Sequence, residues 1–461
     1  MGIGGSCNLQ KMANVCEMFR CVTKIEGQAR NSGSDTDTWI LTLSPNTMFN
    51  KEPVTKTFMK IGLNPTSIRL PPGDEANLDA RTEVAVKQVH KALGLQYELE
   101  VYDKVIGPIL ASHVCPNFLR PYLVSYNCTF KDLLHALQQG LPDVDADTRQ
   151  ELLLRNVDYM TNGKPGRPAI NDQTGLVLGH APDENPAWRF MVLTTEYETV
   201  TPYYNFLRPE YDIQFLDRAA VLMQILVALY VMQKTQLMHQ DLHAGNILVQ
   251  ALPEVTTFTY SINGEVFSCE SRYKALVYDF DLASCTSLGP NIRRGDELAP
   301  FKKNHDLVRL YKSLTPQGPR TNVTLTTQYR TLMHKVFDLK DIRHDRDVYH
   351  SKGEEIKLPL LSAIQFMSTA FREVKPSSTP YIIDDDMFLS NGALNIDHQL
   401  MKNIRQTNSQ YEDEIIACRN ALQKSEQEYA ELQRRMTFLD AKLSYAQSLL
   451  RKQHRTPYAR R

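Results

Sequence analysis

The sequence predicts an α+β protein of two lobes, a small mainly-β lobe followed by a large mainly-α lobe, with a coiled-coil helix appended at the C-terminus. Three observations carry that expectation. Strand-like runs rich in β-branched and aromatic residues crowd residues 1–200, a strongly apolar helix opens residues 200–400, and an unbroken heptad pattern starts at Tyr411. A chain of 461 residues has room for all three. The expected divisions are an N-terminal lobe with inserts over 1–196, a C-terminal lobe over 197–400, a coiled coil over 402–453 and a basic tail over 454–461.

In the first zone the strand candidates are Trp39–Leu43, Thr57–Leu63, Arg120–Tyr126 and Arg189–Thr195. Loops rich in Gly, Pro, Ser, Asn and Asp separate them, among them Pro71-Pro72-Gly73 and Gly163-Lys164-Pro165-Gly166-Arg167-Pro168. A helix is expected from Glu75 into Leu110, with Leu99, Tyr102, Val105 and Ile106 at helical spacing. In the second zone Asp217–Gln233 is the apolar helix. Its purest stretch, Val221–Met232, carries Gln224 and falls short of the ~18 apolar residues a membrane span needs, so a buried helix is expected. Thr256–Asp279 alternates apolar and polar residues around Asn263-Gly264, a strong hairpin signal.

The last zone steps at +4, +3 through Tyr411, Ile415, Cys418, Leu422, Ser425, Tyr429, Leu432, Met436, Leu439, Leu443, Ala446 and Leu450 without Gly or Pro. That 3.5-residue period predicts a coiled coil, joining a second copy or a helical partner. Tyr, Cys and Ser among the core positions predict a weak association.

Composition narrows the function. Lys plus Arg total 52 against 53 Asp plus Glu, so overall charge gives no reason to expect nucleic-acid binding. The eight cysteines form no Cys-x-x-Cys pair, which argues against a zinc module and leaves a reducing, intracellular setting as the expectation. Met1-Gly2-Ile3-Gly4-Gly5-Ser6-Cys7 fits the N-myristoylation pattern, and a membrane is expected as a partner only if Gly2 is acylated.

The chemistry concentrates in His239-Gln240-Asp241-Leu242-His243-Ala244-Gly245-Asn246, followed past the hairpin by Asp279-Phe280-Asp281. Phosphoryl transfer from a nucleotide needs one carboxylate to orient the attacking hydroxyl and accept its proton. It also needs oxygen ligands to hold Mg²⁺ against the phosphates. Asp241 suits the first role; Asn246 and Asp279 suit the second. The two stretches resemble the protein-kinase-like superfamily pattern H-R-D-L-x-x-x-N followed by D-F-G.

That resemblance implies a bilobal protein-kinase-like fold, ATP and Mg²⁺ as cofactors, and further parts upstream. Lys60, a lysine inside an apolar strand pattern, is the candidate for the α/β-phosphates, ahead of Lys51 and Lys56, which lie among polar neighbours. Glu98 is the candidate partner, with Glu100 as the alternative. Its Glu-x-x-x-Tyr setting resembles casein-kinase-like and vaccinia-related kinases. Thr195 then lines the back of the adenine pocket, and backbone groups of Glu196 and Glu198 bond the base. Asp306, in Asn304-His305-Asp306-Leu307-Val308, resembles the residue that braces the catalytic loop. Asp-Phe-Asp, the long hairpin, Gly166-Arg167-Pro168 and Thr194-Thr195-Glu196 together resemble serine/threonine kinases of large nucleocytoplasmic DNA viruses, iridovirus types among them. The resemblance spans roughly residues 55–315. It makes a viral protein in the host cytoplasm, or associated with the virion, the expectation.

The departures leave alternatives open. No clean G-x-G-x-x-G lies within about 25 residues of Lys60, so phosphate cover comes from elsewhere or affinity is reduced. Gln240 replaces the arginine that reads a phosphorylated activation loop. His243 resembles the small-molecule kinases of the choline and aminoglycoside type, and no Ala-Pro-Glu follows Asp279. Asp281 replaces a glycine, which predicts a more fixed metal ligand at Asp279. A serine/threonine-protein kinase is the leading reading. A small-molecule kinase and a pseudokinase scaffold are the alternatives.

Overall fold

Alternation along the strands builds the first half of the molecule. In the computed structural model, the described residues are 7–9, 15–26, 37–49, 52–65, 80–129, 132–133, 189–197, 200–294 without 209, 298, 300–314, 331–332, 335–336, 359–395 without 378, and short stretches between 419 and 442. Strands β1 (Val22–Glu26), β2 (Asp37–Leu43), β3 (Lys56–Leu63), β4 (Pro121–Thr129) and β5 (Arg189–Glu196) form an antiparallel sheet in the order β1-β2-β3-β5-β4. Trp39, Leu41 and Leu43 on β2 and Met59 and Ile61 on β3 bury one face of this sheet against Met18 and Phe19. Period-2 geometry then sends Lys60 to the opposite face.

β5 is buried along almost its whole length. Phe190 and Val192 join the first cluster, whereas Met191 and Leu193 join a larger one beyond the sheet, and a strand covered on both faces reads as the near-continuous apolar run seen here. The expected division at 196/197 falls inside the first of two compact units, Met1–Ile396 and Asp397–Arg461.

Against the second face lies α1 (Ala80–Val101), whose Leu95, Glu98 and Leu99 are buried one turn apart. The expected unbroken helix to Leu110 instead passes through one π-helical turn, Tyr102–Ile106, before a short helix Gly107–Ala111. Pro108 explains it. Proline has no N–H for the Lys104 carbonyl and its ring crowds that carbonyl, and a wider turn relieves both. Gly107 N–H accordingly donates to Tyr102 C=O.

The larger cluster surrounds α2 (Phe215–Lys234), buried continuously from Arg218 to Met232. By length and composition this helix could cross a membrane, contrary to the sequence estimate. However, 83% of its apolar window is buried inside the protein, which marks it as a core helix. Gln224 is tolerated there because its bonds are complete. Its Oε1 accepts from Ala275 N–H (2.9 Å) and Asn117 Nδ2 (3.0 Å), and its Nε2 donates to Tyr273 C=O (2.9 Å).

The hairpin is longer than its alternation predicted. β6 (Val200–Pro202) pairs with β7 (Ile247–Ile262), which runs antiparallel to β8 (Glu265–Val277) with a bulge between Ala251 and Thr256. Asn263 and Gly264, both at positive φ, make the turn. Helices α3 (His305–Leu314) and α4 (Leu360–Ser368) follow; α4 packs on α2, and β9 (Tyr381–Ile383) runs parallel to the tip of β7. Cys115, Cys128, Cys269 and Cys285 are buried thiols, whereas Cys21 is disulfide-bonded, a departure from the expectation of reduced thiols throughout. In the second unit the described residues are helical, and Tyr429, Leu432, Met436 and Leu439, four of the heptad positions, are exposed. Gly2 and the basic tail lie outside the described residues.

One glycine closes the first unit. Gly392 has φ +82°, and a Cβ there would lie 2.3 Å from the Thr235 carbonyl oxygen at the end of α2. Gly392→Ala is expected to lower stability by about 2–3 kcal/mol, read as a reduced urea midpoint with an unchanged m-value.

Candidate active site

Lys60 leaves β3 on the face covered by α1. Its Nζ lies 2.8 and 3.0 Å from the two carboxylate oxygens of Glu98 and 2.7 Å from Asp279 Oδ1. Glu100, the alternative partner, faces outward and pairs with Lys104 one turn on (3.1 Å). One ammonium thus joins a strand, a helix and the residue two past β8. Burial pulls Lys60 toward losing its proton, but Asp279 and Glu98 hold it well above the ordinary lysine value. For Glu98 burial wins: its carboxyl is pushed up to about 7 despite Lys60. For Asp279 burial pushes up, yet the charge and hydrogen bond of Lys60 prevail and hold it below the usual carboxylate range.

Asp279 sits at φ +71°, in the left-handed region where a non-glycine residue is strained. The side chain of Phe280 anchors it. That ring is fully buried, tilted against His239 (centroids 5.0 Å apart) and edge-on to Tyr102 (5.6 Å), so three rings in contact link the loop after α2 to the π turn that follows α1. Gly94 on α1 allows the next segment to approach. A Cβ there would meet Arg293 Cδ at 2.7 Å and the Asp281 carbonyl at 3.3 Å.

The loop 239–246 is fixed from beneath. Asp306, on the first turn of α3, accepts the N–H of His239 through Oδ2 and that of Gln240 through Oδ1, both at 2.8 Å. This tie supports Gln240 at φ +63°. Asn246 Nδ2 donates to the Asp241 carbonyl (3.0 Å), Tyr278 N–H donates to the Asn246 carbonyl (3.2 Å), and Tyr278 Oη donates to the Gly245 carbonyl (3.0 Å). His239 Nε2 donates to the Tyr278 carbonyl (2.8 Å). The loops bearing Asp241 and Asp279 are therefore stitched together through residue 278. Because Asn246 uses its amide nitrogen on Asp241, its Oδ1 is left as an acceptor. With the Asp279 carboxylate this makes a set of hard oxygen donors suited to Mg²⁺.

Four contacts at the site, made by three side chains, were not anticipated. Arg309 ion-pairs with Asp241, and Arg293 ion-pairs with Asp281. His243 Nδ1 accepts the Gly245 N–H (2.9 Å), and its Nε2 stands 3.8 Å from Asp241 Oδ2. For Arg309 a signal existed, since it lies three residues after Asp306 on one helix and so shares its face. Arg293 is brought in only by the chain reversal after Asp281.

At the other edge, Thr195 and Glu196 end β5, nearly buried. The Thr195 carbonyl accepts from Thr57 Oγ1 (2.5 Å). Glu196 donates its N–H to the Arg120 carbonyl (2.9 Å) and accepts the Arg120 N–H on its carboxylate (2.8 Å). The N–H of Glu196 is thus engaged within the protein. Glu198 lies outside the described residues.

No family model and no curated relative matches the chain. Solved structures similar to it include WaaP in complex with acyl carrier protein (11% identity, 78% of this chain and 94% of that one, TM-score 0.30). The Rad53 kinase domain with SCD2 matches at 13% identity, 79% and 94% coverage and TM-score 0.30. The kinase domain of PF14_0431 matches at 10%, 75% and 83%, with TM-score 0.29.

The Glu98 shift has a pH signature. Its folded pKa lies above the ordinary glutamate value, so its contribution to stability is full below about pH 4.5 and is lost as pH rises through about 7. Glu98→Gln removes this dependence. The stability of wild type relative to the variant is expected to fall between pH 5 and 7, by up to about 1.4 kcal/mol per pH unit, in urea titrations at the two pH values.

Proposed function

We propose that this protein is an ATP- and Mg²⁺-dependent phosphotransferase that moves the γ-phosphoryl group of ATP to serine or threonine hydroxyls of a protein. The observation that carries the reading is the convergence of Lys60, Glu98 and Asp279 within 2.7–3.0 Å, with Asn246 tied to the backbone of Asp241 beside them. Such an arrangement supplies a fixed cation for phosphate oxygens, two oxygen ligands for a metal, and a carboxylate for the acceptor.

In this reading Lys60, held by Glu98, faces the α/β-phosphates, and Asp279 and Asn246 hold Mg²⁺. The metal, when bound, neutralises charge on the phosphate oxygens. Asp241 orients the acceptor hydroxyl. As the new oxygen–phosphorus bond forms and the bond to the β,γ-bridging oxygen breaks, the hydroxyl proton passes to the Asp241 carboxylate. The backbone bonds from Asp306 keep that carboxylate's loop in place, so the contribution of the protein is positioning and preorganised charge.

Two finer inferences rest on the sequence, one on resemblance and one on period. The Asp-Phe-Asp variant and the long hairpin favour a relative of viral serine/threonine kinases acting in the host cytoplasm or virion. The heptads, with Tyr429, Leu432, Met436 and Leu439 exposed, favour self-association through the C-terminal helix. Deleting residues 402–461 is expected to convert a weak dimer to a monomer in sedimentation; an unchanged mass rules out self-association.

The activity is tested with labelled ATP and Mg²⁺ against a mixed protein extract and, in parallel, a panel of amino alcohols and aminoglycosides. Label is expected on protein. Asp241→Asn is expected to lower the transfer rate by roughly 10²–10⁴-fold while preserving the fold. Label on the small amines alone would replace the protein acceptor with a small-molecule one.

A further inference from the structure

The described residues of the second unit, 419–420, 423–425, 427–429, 431–436, 439 and 442, are helical. Tyr429, Leu432, Met436 and Leu439, four successive heptad positions among them, are 58–64% exposed. A stripe of that kind calls for an apolar cover. The residues in and beside it decide which way a covering helix runs.

Size is the first guide. In a parallel, in-register pair each heptad residue faces its own copy. Ser425 then meets Ser425 and Ala446 meets Ala446, two underfilled layers, while Tyr411 and Tyr429 make two crowded ones. Reversing the second helix about the midpoint between Ala430 and Glu431 changes every layer. Ser425 now faces Met436, Ala446 faces Ile415, Cys418 faces Leu443 and Tyr429 faces Leu432. Each small side chain meets a larger one, and every heptad position from Tyr411 to Leu450 keeps a partner.

Charge is the second guide, and it fixes the register. Glu428 and Arg435 immediately precede the core positions Tyr429 and Met436, so they flank the seam. In the reversed pair Glu428 lies beside Arg435 of the other copy, twice by symmetry, and Arg419 lies beside Asp440 on the opposite flank. Sliding one helix by a heptad in either direction sets Glu428 beside Glu428 or Arg435 beside Arg435. Like charges disfavour both slips. Within its own helix Arg435 reaches Glu431 (2.7 Å), but these side chains are 73% and 63% exposed, so that pair is readily exchanged.

We propose that the C-terminal helix docks on a second copy of this chain in antiparallel orientation, in the register that sets Tyr429 opposite Leu432, Ser425 opposite Met436 and Glu428 beside Arg435. The inference rests on the self-association reading and adds its direction and register.

The test is sedimentation equilibrium of the full chain at low ionic strength, where screening is weakest. Glu428→Arg and Arg435→Glu are each expected to weaken the dimer about tenfold, because each creates two like-charged contacts. Combining both substitutions in one chain, or mixing the two single variants, is expected to restore wild-type association. Far-UV circular dichroism checks that helix content is kept. A parallel pair behaves otherwise. There residue 428 faces Gln433 and residue 435 faces Asp440, so Glu428→Arg is nearly silent and the double variant stays as weak as Arg435→Glu. That pattern, or dimers unchanged by either single substitution, overturns the inference. A monomeric wild type sinks the self-association reading itself.

Discussion

A single ammonium group sets the geometry of this molecule. Lys60 meets Glu98 and Asp279, which lie 38 and 219 positions away in sequence and come from a different helix and from the end of a different hairpin. Two carboxylates drawn together in a nearly buried place would repel without the cation between them, and the cation would be costly without them. The three are consequently interdependent. Burial raises the Glu98 carboxyl, whereas the charge and hydrogen bond of Lys60 hold the Asp279 carboxyl low.

Around that group the fold supplies rigidity by different means on each side. On the sheet side it is register: β5 lies between β3 and β4, with both faces buried, so Lys60 is opposite Leu193 and cannot slip by one residue without reversing every side chain of β3. On the helical side it is hydrogen bonding to backbone. Asp306 takes two N–H groups of the loop, residue 278 links that loop to Asp279, and Tyr97 accepts the Cys285 N–H (2.8 Å) so that α1 also grips the segment beyond Asp281. The strained backbone at Gln240 and Asp279 is held by these ties, which is how two unfavourable conformations persist beside each other.

Much of this was legible in the sequence because local pattern and chemistry coincide there. Lys60 stood out as a charge inside an apolar alternation, Asn263-Gly264 announced its turn, and Gln224 within an apolar run pointed to a buried helix. The π turn at Tyr102–Ile106 was hidden because one proline in a helical pattern does not say how the strain is relieved. The early start of β7 at Ile247 was hidden because Ile-Leu-Val is apolar without alternation, as befits a stretch buried on both sides. The arginines were least visible. Arg293 reaches Asp281 through a chain reversal that nothing local announces, and the one signal for Arg309 is the helix face it shares with Asp306.

The proposed activity requires the Lys60 group to receive a metal-bound triphosphate. Calorimetric titration of the full chain with ATP, with and without Mg²⁺, addresses this directly. The predicted result is saturable binding that requires Mg²⁺ and is lost in both Lys60→Met and Asp279→Asn while Asp241→Asn retains it. Binding that is absent in the wild type, or that is indifferent to Mg²⁺ and to both substitutions, would contradict the account.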